Sequence, residues 1–178
     1  LLGSAGHEEL MATLGSEFKV LGLYFKPYAC CRWAQPAVDG VLGLLRRHSI
    51  ATEQIAAIKV HAFDAATRLK VRKPRNTEEA QFSLAFPVAA AALYGRVGPA
   101  EVLERLTDAR ILALADKVEA VLSPELEQAF PERCLSEVEI RTRQGQVWRS
   151  GVIGARGDPD DPLSDEELRE EFRSLAGY

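Results

Sequence analysis

The spacing of apolar positions divides this chain into stretches of helical and of strand period. Between residues 35 and 48, Ala37, Val38, Val41, Leu42, Leu44 and Leu45 recur at helical spacing, and Pro36 falls in a first turn where its missing N–H does no harm. Residues 8–14 predict a short helix with Leu10, Met11 and Leu14 on one face and Gly15 as its stop. Residues 18–25 alternate apolar with small or polar positions and predict a strand, after which Pro27 forces Lys26 into extended backbone. A second strand is predicted over residues 55–63, with Ile58, Val60 and Ala62 on one face and Lys59 and His61 on the other.

Beyond the polar connection Lys73-Pro74-Arg75-Asn76, Thr77 is placed to N-cap a helix that runs through Leu84, Val88 and Ala92 to Gly95, kinked or divided by Pro87. Shorter helices are predicted at 99–105 and 108–116, a strand at 117–122 and a loop over 123–132. Residues 137–143 and 146–151 alternate strictly around Gln144-Gly145, the signature of a hairpin. A Gly, Pro and Asp-rich loop then leads to Ser164, which forms a capping box with Glu167 at the head of a last helix toward Leu175. These elements predict an α+β fold, a two-layer sandwich of a mainly antiparallel sheet with helices on one face, as one domain over residues 1–178.

Composition narrows the function classes. A chain of 178 residues with 47% hydrophobic and 27% charged residues buries a core without disulfides or metals. Its net charge of -4 leaves no positive field for nucleic acid. The longest nearly apolar run, residues 86–94, falls far short of the roughly 20 residues that a membrane-spanning helix needs. No secretory signal is visible, and of the three cysteines Cys30 and Cys31 are adjacent, too close for a mutual bridge, so reduced thiols and a cytoplasmic location are expected. The opening Leu1-Leu2-Gly3-Ser4 reads as a chain cut from something longer.

Candidate chemistry is concentrated in one stretch. His7, His48 and His61 have no partner at ligand spacing, so no metal site is expected, and neither phosphate-binding glycine loops nor a nucleophile elbow occur. His61 and His48 read as ordinary surface and helix-end residues. Residues 25–37, by contrast, pack Lys26, Tyr28, Cys30, Cys31, Arg32 and Trp33 into a non-helical segment feeding a helix. Aromatic shelter from Tyr24, Phe25 and Tyr28 would make Lys26 a proton carrier, and Arg32 offers a planar fork to a carboxylate. The plainer readings are a solvated charge for Lys26 and a structural ion pair for Arg32. Gln81 and Ser83 interrupt an apolar helix and either face a cleft or, for Ser83, bond back to a helical carbonyl.

Taken together, Lys26-Pro27-Tyr28-Ala29-Cys30-Cys31-Arg32 and Glu79-Ala80-Gln81-Phe82-Ser83 resemble the MmgE/PrpD family, as do Phe130-Pro131, the hairpin at residues 138–147, Gly157-Asp158-Pro159 and Pro162-Leu163-Ser164 in the same order. The likeness runs from about Gly3 to Leu175 and points to the family's C-terminal domain. It implies a cofactor-independent lyase or isomerase acting on a small di- or tricarboxylate, most of all a 2-methylcitrate dehydratase-type hydro-lyase of propionate metabolism. Epimerase and decarboxylase activities, or a non-catalytic carboxylate-binding or assembly role, are the alternatives. By this analogy Lys26 is catalytic, Arg32 holds a carboxylate, and Tyr28, Gln81 and Ser83 line the same cleft. The implied partners are the helical N-terminal domain of the parent chain and further copies in a homo-oligomer, and the domain alone is expected to be inactive. Gln35 and Phe86 depart from the pattern, standing where relatives often carry His and Tyr.

Overall fold

The computed structural model describes residues 12–177. The helix expected at 8–14 lies largely outside them, and its described end is a turn. Residues 18–25 are not a strand: Lys19–Gly22 make a turn of 3-10 helix, and the chain runs on unpaired, with residues 14–26 exposed. Alternation makes a strand only where a neighbour accepts its backbone bonds, and among those residues only Phe25 N–H reaches out, to the carbonyl of Gly157 at 2.9 Å.

From Gln35 onward the pattern and the fold agree closely. α1 spans Gln35–His48, and β1, Ile55–Ala62, follows, then a short α2, Asp64–Thr67. The long helix expected after Thr77 is two helices, α3, Thr77–Gln81, and α4, Ala85–Tyr94. Its cap is Asn76 rather than Thr77: the Asn76 side chain accepts the Glu79 N–H at 2.8 Å, while the Thr77 hydroxyl receives the Gln81 amide at 3.1 Å. The break falls at residues 82–84 and not at Pro87, because Leu84 N–H is drawn to the Leu69 carbonyl at 3.0 Å and the Ser83 hydroxyl to that of Val71. Pro87 sits in the first turn of α4, where no N–H is needed.

α5, Pro99–Leu103, α6, Ala109–Ala115, and β2, Val118–Leu122, follow, and the expected loop over 123–132 contains α7, Pro124–Glu127. β3, Leu135–Thr142, and β4, Val147–Gly154, form the hairpin, turned through Gly145 at φ 86°. α8, Asp165–Ala176, opens on the Ser164–Glu167 capping box. Among the described residues no helix is long and apolar enough to cross a membrane.

The fold is α+β, with a 4-stranded sheet in the order β2-β1-β3-β4. The sheet is mixed: β1 and β2 pair in parallel, the other pairs antiparallel. The parallel pair arises because helices α2 to α6 lie between the two strands and return the chain to the same end of the sheet. Ile58, Val60, Val118, Val138 and Ile140 face the helices and are buried. The other face is charged, with Glu139 paired to Arg149 at 2.7 Å and Lys59 to Glu119 at 4.0 Å, and His61 lies there opposite Glu137.

α1 packs on β3, β4 and α4, and α4 is buried from Ala85 through Ala92 among α1, α6 and β2. The approach of α1 to the sheet depends on Gly40, where a Cβ would stand 2.6 Å from Val138 Cγ2. Gly40→Ala is therefore expected to destabilise the fold by about 1–3 kcal/mol despite the better helix propensity of alanine, measured by urea denaturation.

The α8 cap carries a pH dependence. The Ser164 backbone N–H, the Arg156 guanidinium and the Ser164 hydroxyl hold the Glu167 carboxyl down at about 2, below its ordinary 4.5. Since the folded form binds this proton less tightly than the unfolded chain, the stabilisation is complete above about 4.5 and is lost as pH falls toward about 2. The protection of the α8 amides, each exchange rate taken relative to the intrinsic rate at the same pH, should fall across that interval, and Glu167→Gln should abolish the dependence.

Candidate functional site

Residues 25–34 form a strap that crosses one end of the helical layer into α1. Three backbone bonds seat it: Phe25 N–H to Gly157 O at 2.9 Å, Ala29 N–H to Val97 O at 2.9 Å, and Cys31 N–H to Gln81 O at 2.8 Å. Gly157 is required at the first of these, since it stands at φ 94° and a Cβ there would lie 1.9 Å from the Phe25 carbonyl oxygen. The far end is anchored by Trp33, edge-on to Phe63 and Phe130 with centroids 6.1 and 6.0 Å away. Beneath the strap Gln35 is wholly buried and donates its amide at 3.4 Å to the carbonyls of Tyr28 and Cys30, while its Oε1 has no partner.

Lys26, Tyr28 and Arg32 all lie on the strap, but Tyr28 and Arg32 face different surroundings, Tyr28 a depression with Arg156 and Glu167 and Arg32 one with Cys134 and Asp158. The Cys31 N–H bond sets Gln81 against the strap. Lys26 is exposed, as are Tyr24 and Phe25, so the aromatic shelter expected around it is missing in this chain. Its charge acts on the buried Cys30 thiol: burial pushes that thiol up, the neighbouring Cys31 adds to the effect, and Lys26 opposes it. Tyr28 is half-buried and donates its hydroxyl to Asp39 of α1 at 2.6 Å. Burial, then the Asp39 charge and hydrogen bond, hold the phenol well above its ordinary range. Burial also raises the Asp39 carboxyl, against the bond from Tyr28, and its Oδ2 has no partner.

Arg32 stacks on the Tyr24 ring at 4.1 Å and pairs through Nη2 with Asp158, so the structural ion pair is present. Its Nη1 is buried without a partner. Gln81 is half-buried with its amide on Thr77. Ser83 is wholly buried; its hydroxyl donates to Val71 O and accepts Phe86 N–H at 2.9 Å, which closes the first turn of α4. The expected back-bond to a helical carbonyl is thus not made; the hydroxyl goes instead to a loop carbonyl remote from its own helix. Phe86, fully buried, brings no polar group.

Sequence reasoning did not single out Asp39, Asp158 or Cys134. Asp39 is an acid inside the apolar stretch Val38 to Leu42, and no spacing along the chain joins it to Tyr28. Asp158 lies 126 residues from Arg32 with no local signal joining them. Cys134 is another free thiol, raised by burial and pulled back by the charge and hydrogen bond of Arg32. It borders an open depression of about 660 Å³ that Arg32 and Asp158 also line.

Fold and strap together define a two-layer α+β domain that carries a cationic, aromatic crossing at one end. The chain belongs to the MmgE/PrpD family, matching its C-terminal domain over residues 28–178. The match begins at Tyr28, so Lys26 stands two residues ahead of it and residues 3–27 of the wider likeness lie outside. No curated protein matches the chain.

The Tyr28–Asp39 bond is the support of the strap most open to a single substitution. Tyr28→Phe leaves Asp39 with both oxygens unpartnered in a half-buried site and should cost about 1–3 kcal/mol in urea denaturation.

Proposed function

We propose that this chain is the C-terminal part of a cofactor-independent lyase for a small di- or tricarboxylate, with a 2-methylcitrate dehydratase-type reaction as the first choice. The family, which includes dehydratases, supports the class of chemistry. The observation that carries the reading is one strap bearing both Lys26 and Arg32 across an end of the fold. Removing a proton beside a carboxylate builds negative charge on that carboxylate, and fixed cations stabilise the charge without the reorganisation that water requires. In this reading Lys26, exposed and in no hydrogen bond or ion pair among the described residues, relays the proton or meets the substrate, and Arg32 holds a carboxylate. Gln81 lines the cleft, while Tyr28 and Ser83 hold the strap and the head of α4 in place.

A helical N-terminal domain of the parent chain completes the site in this proposal and covers the exposed Phe18, Leu21, Phe25 and Phe82. The same exposed side chains favour a second reading, a domain that serves mainly in assembly as a homo-oligomer. The free thiols Cys30, Cys31 and Cys134 support a cytoplasmic location. The chain joined to its helical domain should dehydrate 2-methylcitrate or citrate, followed by ultraviolet absorbance of the conjugated product, and Lys26→Ala should lower kcat by roughly a hundredfold or more. Dehydration undiminished by Lys26→Ala removes Lys26 from the mechanism; no dehydration in any form moves epimerase, decarboxylase or assembly roles ahead.

A further inference from the structure

The Arg32 fork is closed. Nη2 is taken by the Asp158 carboxylate, Nη1 is buried without a partner, and the guanidinium plane lies on Tyr24. Asp158 is held on a tight turn whose backbone is tied at three points: Gly157 N–H bonds to Asp161 O at 2.8 Å and Asp161 N–H to Asp158 O at 3.0 Å, while Gly157 O receives Phe25 N–H. The turn therefore stays with the strap, and the part able to leave Arg32 is the Asp158 side chain. Its side chain, 38% exposed, borders the same depression as Arg32, which leaves it space to swing away from the fork.

A carboxylate on a planar fork is the group that the proposed substrate would place there. We propose that Asp158 is an internal occupant of the substrate-carboxylate position on Arg32, and that a polycarboxylate ligand binds by displacing it. The proposal rests on Arg32 being a carboxylate site. It assigns Asp158 a role in regulating affinity: the tethered acid keeps the fork closed to weak anions and yields to a ligand whose further carboxylates are held elsewhere. The charge around the depression acts in the same direction, since Glu132, Asp158, Asp160 and Asp161 outnumber Arg32 and Arg133 and oppose an anion on entry. Once the fork opens, Nη1 is the second donor for a bidentate carboxylate.

The apparent dissociation constant of a ligand rises as the fraction of open forks falls. Asp158→Asn keeps the shape of the side chain, removes its charge and should lower the dissociation constant for citrate by roughly fivefold, the scale of a partly exposed ion pair. Citrate is titrated calorimetrically into the chain joined to its helical domain, as wild type, Asp158→Asn and Arg32→Ala, with the melting temperature of each recorded. Tighter binding by Asp158→Asn together with loss of binding in Arg32→Ala supports the proposal. Binding that depends on Arg32 but is unchanged or weakened by Asp158→Asn overturns it and leaves the carboxylate reading of Arg32 intact. Binding that ignores Arg32, or none even with Asp158→Asn, overturns both. Should Asp158→Asn fail to fold, carbon-detected NMR of the wild type decides: citrate saturation must shift the Asp158 Cγ and Arg32 Nε signals together, and an unmoved Asp158 Cγ overturns the proposal.

Discussion

Enclosing α4 is the constraint from which the rest of the arrangement follows. From Ala85 to Ala92 this helix carries no polar side chain on any face, so water must be kept from all of it. The sheet covers one side through β2, and α1 and α6 cover the others. α1 can serve two neighbours only because Gly40 lets it settle against Val138 while its apolar stripe reaches α4. The helical layer is thus one interlocked unit, and the heads of α1 and α4 are brought to the same region by the strap, whose Cys31 N–H bonds to Gln81 just ahead of α4.

That convergence explains why the polar groups of the strap are held by partners remote in sequence. Tyr28 is held by Asp39, Arg32 by Asp158, and Arg156 of the same end by Glu167. Arg32 Nη1, Gln35 Oε1 and Asp39 Oδ2 are nevertheless buried without partners within the strap or directly beneath it. Stranding a buried polar atom costs free energy comparable to a lost hydrogen bond, and such atoms gather where a fold serves something besides its own stability. The opposite face of the sheet offers a contrast. There the charges of Lys59, Glu119, Glu139 and Arg149 are paired across strands, as on an ordinary solvated surface.

Membership in the MmgE/PrpD family and the α+β fold stand together, and the carboxylate chemistry is the reading they support. Lys26 and Arg32 occupy different situations on one strap. Lys26 is exposed and makes no hydrogen bond or ion pair among the described residues, as suits a group that must meet a substrate or a second domain. Arg32 is stacked and paired, pre-oriented as a rigid fork whose occupant is at present an acid of the same chain. The departures at Gln35 and Phe86 fall on wholly buried positions, where they shape the strap and the head of α4 from below.

Local patterns determined the elements that local physics controls. α1 was legible from the spacing of Val38, Val41, Leu42 and Leu45, β1 from its alternation, the hairpin from Gly145 and the cap of α8 from Ser164 and Glu167, because each signal lies within a few residues of the structure it dictates. The stretch holding Lys26, Tyr28 and Arg32 was legible as a concentration of chemistry, and its family likeness as an ordered set of motifs. Tertiary structure alone decided that residues 18–25 pair with no strand, that β2 runs parallel to β1, and that α3 and α4 separate at Ser83 rather than at Pro87. It also decided that Asp39 and Asp158 are the partners of Tyr28 and Arg32. Each of these depends on a backbone or side-chain partner that only the folded chain brings within reach, and no spacing along the sequence records it.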